Sequence, residues 1–253
     1  LAASLEILKP YPGITYRLGA HDVADFQGRD FILKAAGVPI ESIYIAEAKK
    51  HKIPVKMSAS WFAELAGIPY VGVTGTRGKS TTTHLIEAMM HAAHMGVLLG
   101  GNVKGVSTLA LLPQVTSESV ALMELDSWQC RGFGDAGLSP NVAVFTTFLD
   151  DHLNYYKGDR NAYLNDKAFI FLNQKPEDTF VVSTQALPFL EKYKSKIAAH
   201  VVVADPTHIP RGWTVAIPGE HNQLNAICAI EAARALGIDD AVIRGALAAF
   251  KGV

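Results

Sequence analysis

Cysteine is scarce in this sequence: Cys130 and Cys228 are the only two among 253 residues. Their spacing fits no metal-binding pattern. Both lie among residues that favour helices, so we expect buried thiols in a reducing compartment and therefore a cytoplasmic protein.

Long apolar runs and an excess of charge of one sign are also absent. No run is long enough to span a bilayer, and the N-terminal LAASLEILKP has no basic segment before its apolar residues, as a signal peptide would. The formal net charge is −1. The sequence therefore gives no electrostatic reason to expect nucleic acid or an anionic membrane as a partner.

What remains is the composition of a globular protein, with 49% hydrophobic and 19% charged residues. A chain of this length forms one large domain or two smaller ones. We expect a small α/β unit at residues 1–67 and a larger α/β domain at residues 68–253.

The larger region alternates short apolar runs with helical patterns. Runs that are apolar throughout indicate strands buried on both faces, as in a mainly parallel sheet with helices on both sides. Nucleotides bind such sheets at the carboxyl ends of the strands. The predicted strands are 70–74, 97–99, 120–125, 142–146, 180–183, 201–204 and 214–217, and the predicted helices are 82–93, 106–112, 163–172, 188–194, 221–236 and 240–250.

The stretch from Tyr70 to Thr81 has the layout of a phosphate-binding loop. An apolar run precedes the turn G-T-R-G-K-S-T at 75–81, and apolar residues at helical spacing follow it. Glycines let backbone N–H groups close around phosphate oxygens at a helix N-terminus. Lys79 would reach the terminal phosphates, and the Ser80 hydroxyl would hold a magnesium ion.

This loop is shorter than the usual G-x-x-x-x-G-K-[ST], which requires glycine where the chain has Val73. The alternative is an ordinary strand–turn–helix unit with an exposed lysine. The coincidence of strand, glycines, Lys-Ser and helix favours the phosphate site.

Acidic and imidazole side chains follow two other predicted strands. Glu124 closes an apolar run and is well placed to bind Mg²⁺, although an acid at a strand end also commonly caps the next helix. Asp150, Asp151 and His152 follow the next strand and could ligate a metal or orient a phosphate. The alternative for these three residues is a polar surface loop.

Three further patterns are weaker. Lys167 lies on an apolar helical stripe, where periodicity alone favours a snorkelling lysine whose head reaches water over an amine held in a cleft with a lowered pKa. Asn222 and Asn225 share a helix face and could contact an adenine edge, or one of them could cap the helix. Asn102 follows two glycines in a tight turn and could face the cleft.

Taken together, these residues resemble the Mur ligase family. A stretch at 25–39, D-F-Q-G-R-D-F-I-L-K-A-A-G-V-P, also resembles the N-terminal domain of that family, so the resemblance covers nearly the whole chain. The motifs that carry it are G-T-R-G-K-S-T at 75–81, G-G-N-V at 100–103, E-L-D-S-W-Q at 124–129, D-H-L at 151–153, D-K at 166–167, G-E-H-N-Q-L-N at 219–225 and F-K-G at 250–252.

The resemblance implies an α/β fold with a P-loop central domain at 68–253, preceded at 1–67 by part of a Rossmann-like domain. It also implies a role for each matching position. Lys79, His152 and Lys167 would be catalytic, and Asn102 and Gln129 would contact the muramoyl substrate. ATP would be bound by Gly75, Thr76, Arg77, Gly78, Lys79, Ser80, Thr81, Asn222 and Asn225, and Mg²⁺ by Ser80, Glu124, His152 and Lys167, the last of these carbamylated.

The implied reaction is ATP-dependent ligation of D-glutamate to UDP-N-acetylmuramoyl-L-alanine in peptidoglycan precursor synthesis. The substrate carboxylate attacks the γ-phosphate of ATP, and the amine of D-glutamate then displaces phosphate from the acyl phosphate. Alternatives are another Mur-type or folylpolyglutamate-type ligase, a non-catalytic ATP-binding module and a P-loop kinase. We expect a monomer with small-molecule substrates.

Several positions depart from the family pattern. Thr147 and Asn154 stand where asparagine and aspartate are usual, and Asp126 replaces a serine close to the substrate, which leaves the exact peptide substrate open. The glycine-rich loop for uridine diphosphate and the domain that follows F-K-G in the family do not occur in the sequence. We therefore expect the 253-residue chain to bind Mg–ATP weakly and not to complete ligation alone.

Overall fold

The computed structural model describes residues 2–35, 37–39, 41–152 and 154–252. Ala36, in the stretch at 25–39, and Leu153, in the D-H-L motif, lie outside the described residues. Contacts divide the chain into two compact units, one of Leu1–Ile32 with Val38–Val55, the other of Leu33–Gly37 with Lys56–Val253. The domain boundary predicted after residue 67 stays a prediction.

The helices and strands account for most of the predicted pattern. The helices are α1 (Ala2–Leu8), α2 (Ile43–Lys50), α3 (Ser58–Ala66), α4 (Lys79–Ala92), α5 (Ser127–Asp135), α6 (Arg160–Ala168), α7 (Glu220–Ala235) and α8 (Asp240–Ala249). The strands are β1 (Ile32–Lys34), β2 (Val55–Met57), β3 (Tyr70–Thr74), β4 (Gly96–Gly101), β5 (Ser119–Glu124), β6 (Val142–Phe145), β7 (Thr179–Ser183) and β8 (His200–Ala204). Shorter 3₁₀ segments cover Val23–Phe26, Thr108–Gln114, Leu187–Lys196 and Pro206–His208.

The first unit is small and is built around α2. The rings of Phe26 and Tyr44 stack with centroids 5.1 Å apart. The Gln27 amide donates to the Glu47 carboxylate at 2.6 Å. These contacts tie the 3₁₀ turn before β1 to α2.

The second unit contains a six-stranded sheet in the order β4-β5-β3-β6-β7-β8, and each strand pairs in parallel with its neighbour. This confirms the predicted parallel sheet. In register, Val73 lies beside Glu124, and Thr74 lies beside Phe145. The carboxyl ends of β5, β3 and β6 therefore meet at one edge of the sheet, where the phosphate loop also begins.

Side chains alternate along the strands and bury two separate cores. In β6, Val144 packs with α4, α7 and α8 on one face, whereas Phe145 packs with α3, α5 and α6 on the other. The apolar stripe of α4, which includes Leu85 and Met89, is fully buried in the first of these cores. Helices thus cover both faces of the sheet, which fixes where each helix begins relative to the strand ends.

One predicted strand is wrong. Residues 214–217 are not a strand, although Val215 and Ile217 pack into the core under α7. Their apolar character reflects burial as a loop and not pairing with the sheet. The predicted helices at 106–112 and 188–194 are 3₁₀ segments, Thr108–Gln114 and Leu187–Lys196.

Helix α5 was not predicted, because Gly132 and Gly134, which are poor helix formers, obscure its helical pattern. Its start carries a readable signal. Asp126 accepts from the Gln129 N–H, and the Gln129 side chain accepts from the Asp126 N–H, which is a capping box.

Cys130 and Cys228 are both buried and free, as predicted. Within the described part of the chain, no helix combines the length and the apolarity that a membrane span requires.

Candidate active site

The phosphate loop runs from the end of β3 into the first turn of α4. Gly78 precedes the helix at φ +86°, a conformation that glycine adopts without strain, and no side chain caps this N-terminus. The first helical bond joins the Thr82 N–H to the Gly78 carbonyl at 2.9 Å. The N–H groups of Lys79, Ser80 and Thr81 precede that bond and have no acceptor among the described residues, as is usual at a helix start, which suits an anion.

Lys79 is held over this loop. Its Nζ donates to the carbonyls of Gly75 at 3.2 Å and Thr76 at 3.3 Å. The amine therefore lies across the mouth of the turn, where a triphosphate resting on the helix start would meet it.

Glu124 ends β5 beside the loop. The residue is only 6% exposed. Its carboxylate makes no hydrogen bond or ion pair with another residue that the structure describes. The carboxylate is enclosed by protein but keeps access to water or to a ligand, because its oxygens are not among the fully buried, unpartnered atoms of the described residues. This carboxylate consequently fits a bound cation, and oxygen is the ligand that Mg²⁺ prefers.

The turn after β4 fixes the backbone around Glu124. Gly101 has φ +83°, and a Cβ added to it would lie 2.1 Å from the Glu124 carbonyl oxygen. The Asn102 N–H donates to that same oxygen at 2.7 Å. Asn102 is therefore brought next to Glu124, and its side chain is exposed.

We expect alanine at Gly101 to destabilise the protein far more than alanine at Gly105. Both residues have left-handed φ, +83° and +79°, but no atom of the described residues lies within 4 Å of a Cβ on Gly105. Gly105→Ala should cost about 1 kcal/mol from backbone conformation alone. Gly101→Ala should cost at least about 3 kcal/mol, because a backbone oxygen must move. Urea unfolding of both variants measures this, and equal losses would contradict the contact at Gly101.

His152 lies in an aromatic surrounding at the end of the loop after β6. Its ring centroid is 4.9 Å from that of Trp128 and 6.0 Å from that of Tyr163. Its Nε2 is 4.0 Å from an Asp151 oxygen. An open cavity of about 520 Å³ adjoins it, and its lining residues are Trp128, Asp150, Asp151, His152, Asn154 and Tyr155.

Lys167 is buried, with 1% of the residue exposed, so the snorkelling interpretation is wrong. The helical stripe faces the base of the phosphate loop and not the surface. Its Nζ donates to the Gly75 carbonyl at 3.0 Å and lies 4.9 Å from the centre of the Tyr163 ring. The pKa of Lys167 is lowered to about 8, chiefly by burial and in lesser part by the nearby Lys79 cation.

Asn222 and Asn225 contact each other and the loop. The Asn225 Nδ2 donates to the Asn222 Oδ1 at 3.1 Å, and the Asn222 Nδ2 donates to the Pro218 carbonyl at 2.7 Å. A Cβ on Gly78 would lie 2.1 Å from the Asn225 Oδ1. The start of α7 is therefore packed directly against the start of α4.

The structure gathers most of the predicted residues at one edge of the sheet, but their ligand roles stay predictions. Among the described residues, no three His, Cys, Asp or Glu side chains converge as a metal cluster. Gln129 is buried and is occupied in capping α5, and its predicted contact with substrate is likewise untested.

Sequence reasoning missed the role of Tyr163 in this arrangement. Its hydroxyl is 3.3 Å from the Thr76 Oγ1, and its ring contacts both Lys167 and His152. Tyr163 lies one helical turn before Lys167 on the apolar stripe, and the signal in the sequence is its hydroxyl, which needs a partner when it is buried.

Comparison with known proteins agrees with the fold. Residues 73–205 match the model of the Mur ligase middle domain. A UDP-N-acetylmuramoylalanine–D-glutamate ligase of Roseiflexus sp. (strain RS-1) is 31% identical over 283 residues, which cover 100% of this chain and 60% of that protein. The corresponding ligase of Borreliella burgdorferi (strain ZS7) is 34% identical over 198 residues, 78% of this chain and 42% of that protein.

Solved structures show the same fold. A UDP-N-acetylmuramate:L-alanyl-γ-D-glutamyl-meso-diaminopimelate ligase from Neisseria meningitides superposes with a TM-score of 0.64 at 20% identity, over 92% of this chain and 82% of that one. A folylpolyglutamate synthase from Mycobacterium tuberculosis gives 0.56 at 18% identity, over 77% and 62%. This chain spans 42% to 60% of the length of the curated relatives that it matches. With more than half of its residues matched by the family's middle domain, the chain belongs to the Mur ligase family.

Proposed function

We propose that this chain is the ATP-binding part of a ligase that adds D-glutamate to UDP-N-acetylmuramoyl-L-alanine during peptidoglycan precursor synthesis. The observation that carries the proposal is the unpartnered Glu124 carboxylate beside an uncapped helix start and Lys79. That combination suits a triphosphate with its cation. The names of the relatives supply the substrates, and the protein would act in the cytoplasm as a monomer.

The triphosphate would rest on the N–H groups at the start of α4, with Lys79 on its terminal phosphates. Ser80 and Glu124 would hold one Mg²⁺, and His152 and Lys167 a second. Bound Mg²⁺ offsets negative charge on the phosphoryl group that is transferred. Asn225, next to Gly78, and Asn222, which is hydrogen-bonded to Asn225, would face the adenine.

Lys167 has the property that carbamylation requires. A pKa of about 8 leaves a substantial fraction of neutral amine near neutral pH, and only the neutral amine attacks CO₂. The product is a carboxylate, which could accompany His152 as a metal ligand. Converting the buried Lys167 ammonium to an anionic carbamate also removes its repulsion with the half-buried Lys79 ammonium.

Ligation then needs two steps at one place. The carboxylate of the muramoyl substrate attacks the γ-phosphate and forms an acyl phosphate, with ADP leaving. The D-glutamate amine attacks the acyl carbon, phosphate leaves and an amide remains. Lys79 stabilises charge during the first step, and Asn102 and Gln129 would orient the carboxylate, so that positioning supplies most of the acceleration.

The experiment is a phosphate-release assay with the protein expressed from its complete reading frame. We expect release that needs ATP, Mg²⁺, UDP-N-acetylmuramoyl-L-alanine and D-glutamate together. Glu124→Gln keeps the size of the side chain but removes its charge, and should raise the Mg²⁺ concentration for half-maximal rate by at least about tenfold. Glu191→Gln, which alters an exposed acid, is the control and should change nothing.

Release with a different precursor or amino acid would overturn the proposed substrates. Release that is indifferent to Mg²⁺, or an unchanged Mg²⁺ requirement in Glu124→Gln, would overturn the assigned site. Turnover by the 253-residue chain itself would contradict the expectation that this stretch binds nucleotide without completing ligation.

A further inference from the structure

Thr146 and Thr147, which directly follow β6, form hydrogen bonds with the phosphate loop. The Thr147 carbonyl accepts from the Thr76 N–H at 2.7 Å, and the Thr147 Oγ1 accepts from the Arg77 N–H at 2.9 Å. The Arg77 carbonyl accepts from the Thr147 hydroxyl at 3.0 Å and from the Thr146 hydroxyl at 2.7 Å. The N–H and the C=O of Arg77 are therefore both hydrogen-bonded to residues that directly follow the neighbouring strand β6.

This contact has a consequence for the next amide. In a trans peptide the C=O of one residue and the N–H of the following residue point in opposite directions. Because the Arg77 carbonyl points to Thr146 and Thr147, the Gly78 N–H points away from β6. The N–H groups of Thr76 and Arg77 are already used by Thr147, which leaves Gly78 and the first turn of α4 to donate to a ligand.

Glycine at position 75 allows the loop to lie this close to Thr146 and Thr147. A Cβ on Gly75 would lie 2.0 Å from the Thr146 Oγ1 and 2.8 Å from the Thr147 nitrogen, so only glycine fits there. A threonine hydroxyl can accept one hydrogen bond and donate another at the same time, which the Thr147 hydroxyl does with the N–H and C=O of a single residue. Valine has the same shape and can do neither.

We propose that Thr147 is a positioning residue for the triphosphate. Its hydroxyl sets the plane of the Arg77–Gly78 peptide, and that plane aims the Gly78 N–H and the helix start at phosphate oxygens. The inference rests on the proposed function, since it assumes a polyphosphate on this loop. In this proposal a residue after β6 fixes the conformation of the loop, which a longer phosphate-binding loop would fix by itself.

The test uses three variants of the 253-residue chain, with Mg–ATP affinity measured by calorimetry. Thr147→Val removes the hydroxyl and should weaken binding about tenfold, the effect of one or two lost hydrogen bonds. Thr147→Ser restores the hydroxyl and should bind within about twofold of the wild type. Thr83→Val is the matched control, because the buried Thr83 Oγ1 has no hydrogen-bond partner within the described residues.

Hydrogen exchange at the Arg77 amide provides a readout that does not depend on nucleotide. Exchange should be faster in Thr147→Val and unchanged in Thr147→Ser and Thr83→Val, since only the first loses the acceptor of that N–H. A serine variant as weak as the valine variant, or exchange that is unaffected by valine, would overturn the role of the hydroxyl.

Two failures can be told apart. If the wild type and Thr147→Val bind Mg–ATP equally well, the role of Thr147 is wrong and the proposed function stands. If the wild type binds no Mg–ATP, the proposed function is overturned and this inference with it.

Discussion

Replacing Lys79 by alanine is expected to weaken Mg–ATP binding by about 100-fold, the effect of losing a charge-assisted contact to phosphate. The amine is already positioned over the loop by the Gly75 and Thr76 carbonyls, so little ordering is needed when the ligand arrives. Calorimetric titration of the wild type and of Lys79→Ala with Mg–ATP measures the difference.

The same substitution should leave folding almost unchanged, because Lys79 is only half-buried and the Gly75 carbonyl keeps its hydrogen bond from the Lys167 Nζ at 3.0 Å. Lys196→Ala is a matched control that truncates an exposed lysine. Similar affinities for wild type and Lys79→Ala would remove the central support for a phosphate site here. A loss of affinity in Lys196→Ala of the same size would indicate a general effect of charge.

Replacing Lys167 by methionine is expected to abolish carbamate formation and to change how stability depends on pH. Methionine keeps the buried apolar stem without the amine. In the wild type the neutral amine should add CO₂ and release a proton. With ¹³C-labelled bicarbonate near pH 8.5, NMR should show a carbamate signal in the wild type that is missing from Lys167→Met. Its absence from the wild type as well would refute carbamylation.

Stability without bicarbonate should rise with pH in the wild type relative to Lys167→Met. Burial lowers the pKa of Lys167 to about 8, below the ordinary 10.5, so the unfolded chain binds more protons between those values. Integrated from pH 7 to pH 10, the difference amounts to roughly 2 to 3 kcal/mol. Urea unfolding at both pH values measures it, and parallel curves for the two proteins would mean that Lys167 titrates normally.

Local patterns in the sequence predicted the phosphate loop and the sheet around it. Tyr70–Thr74 is β3 as predicted, and the chemistry of Gly78, Lys79 and Ser80 requires only the strand before them and the helix after them. The position of Glu124 and His152 near this loop was predictable because parallel strands share one carboxyl edge, and their roles stay predictions. These inferences use information within about ten residues of each position, or the general geometry of a parallel sheet.

Contacts between distant segments were not predictable in this way. Periodicity placed Lys167 on a stripe but could not tell what the stripe faces, which is the loop 92 residues earlier in the chain. The hydrogen bonds between Thr147 and Arg77 join residues that are 70 positions apart, and the sequence around either residue does not predict them. Residues 214–217 show the opposite problem, because burial and sheet pairing favour the same apolar side chains.

The two cores described above hold the two site lysines separately. Lys79 begins a helix on one side of the sheet, whereas Lys167 belongs to α6 on the other, and each helix is anchored by its own apolar cluster. The distance between the two amines is therefore set by how the helices on both faces pack against the sheet. Removing a methyl group deep in either layer is expected to shift one amine relative to the other. Because burial first, and the Lys79 charge in lesser part, lower the pKa of Lys167, such remote packing changes would alter how readily that amine gains CO₂.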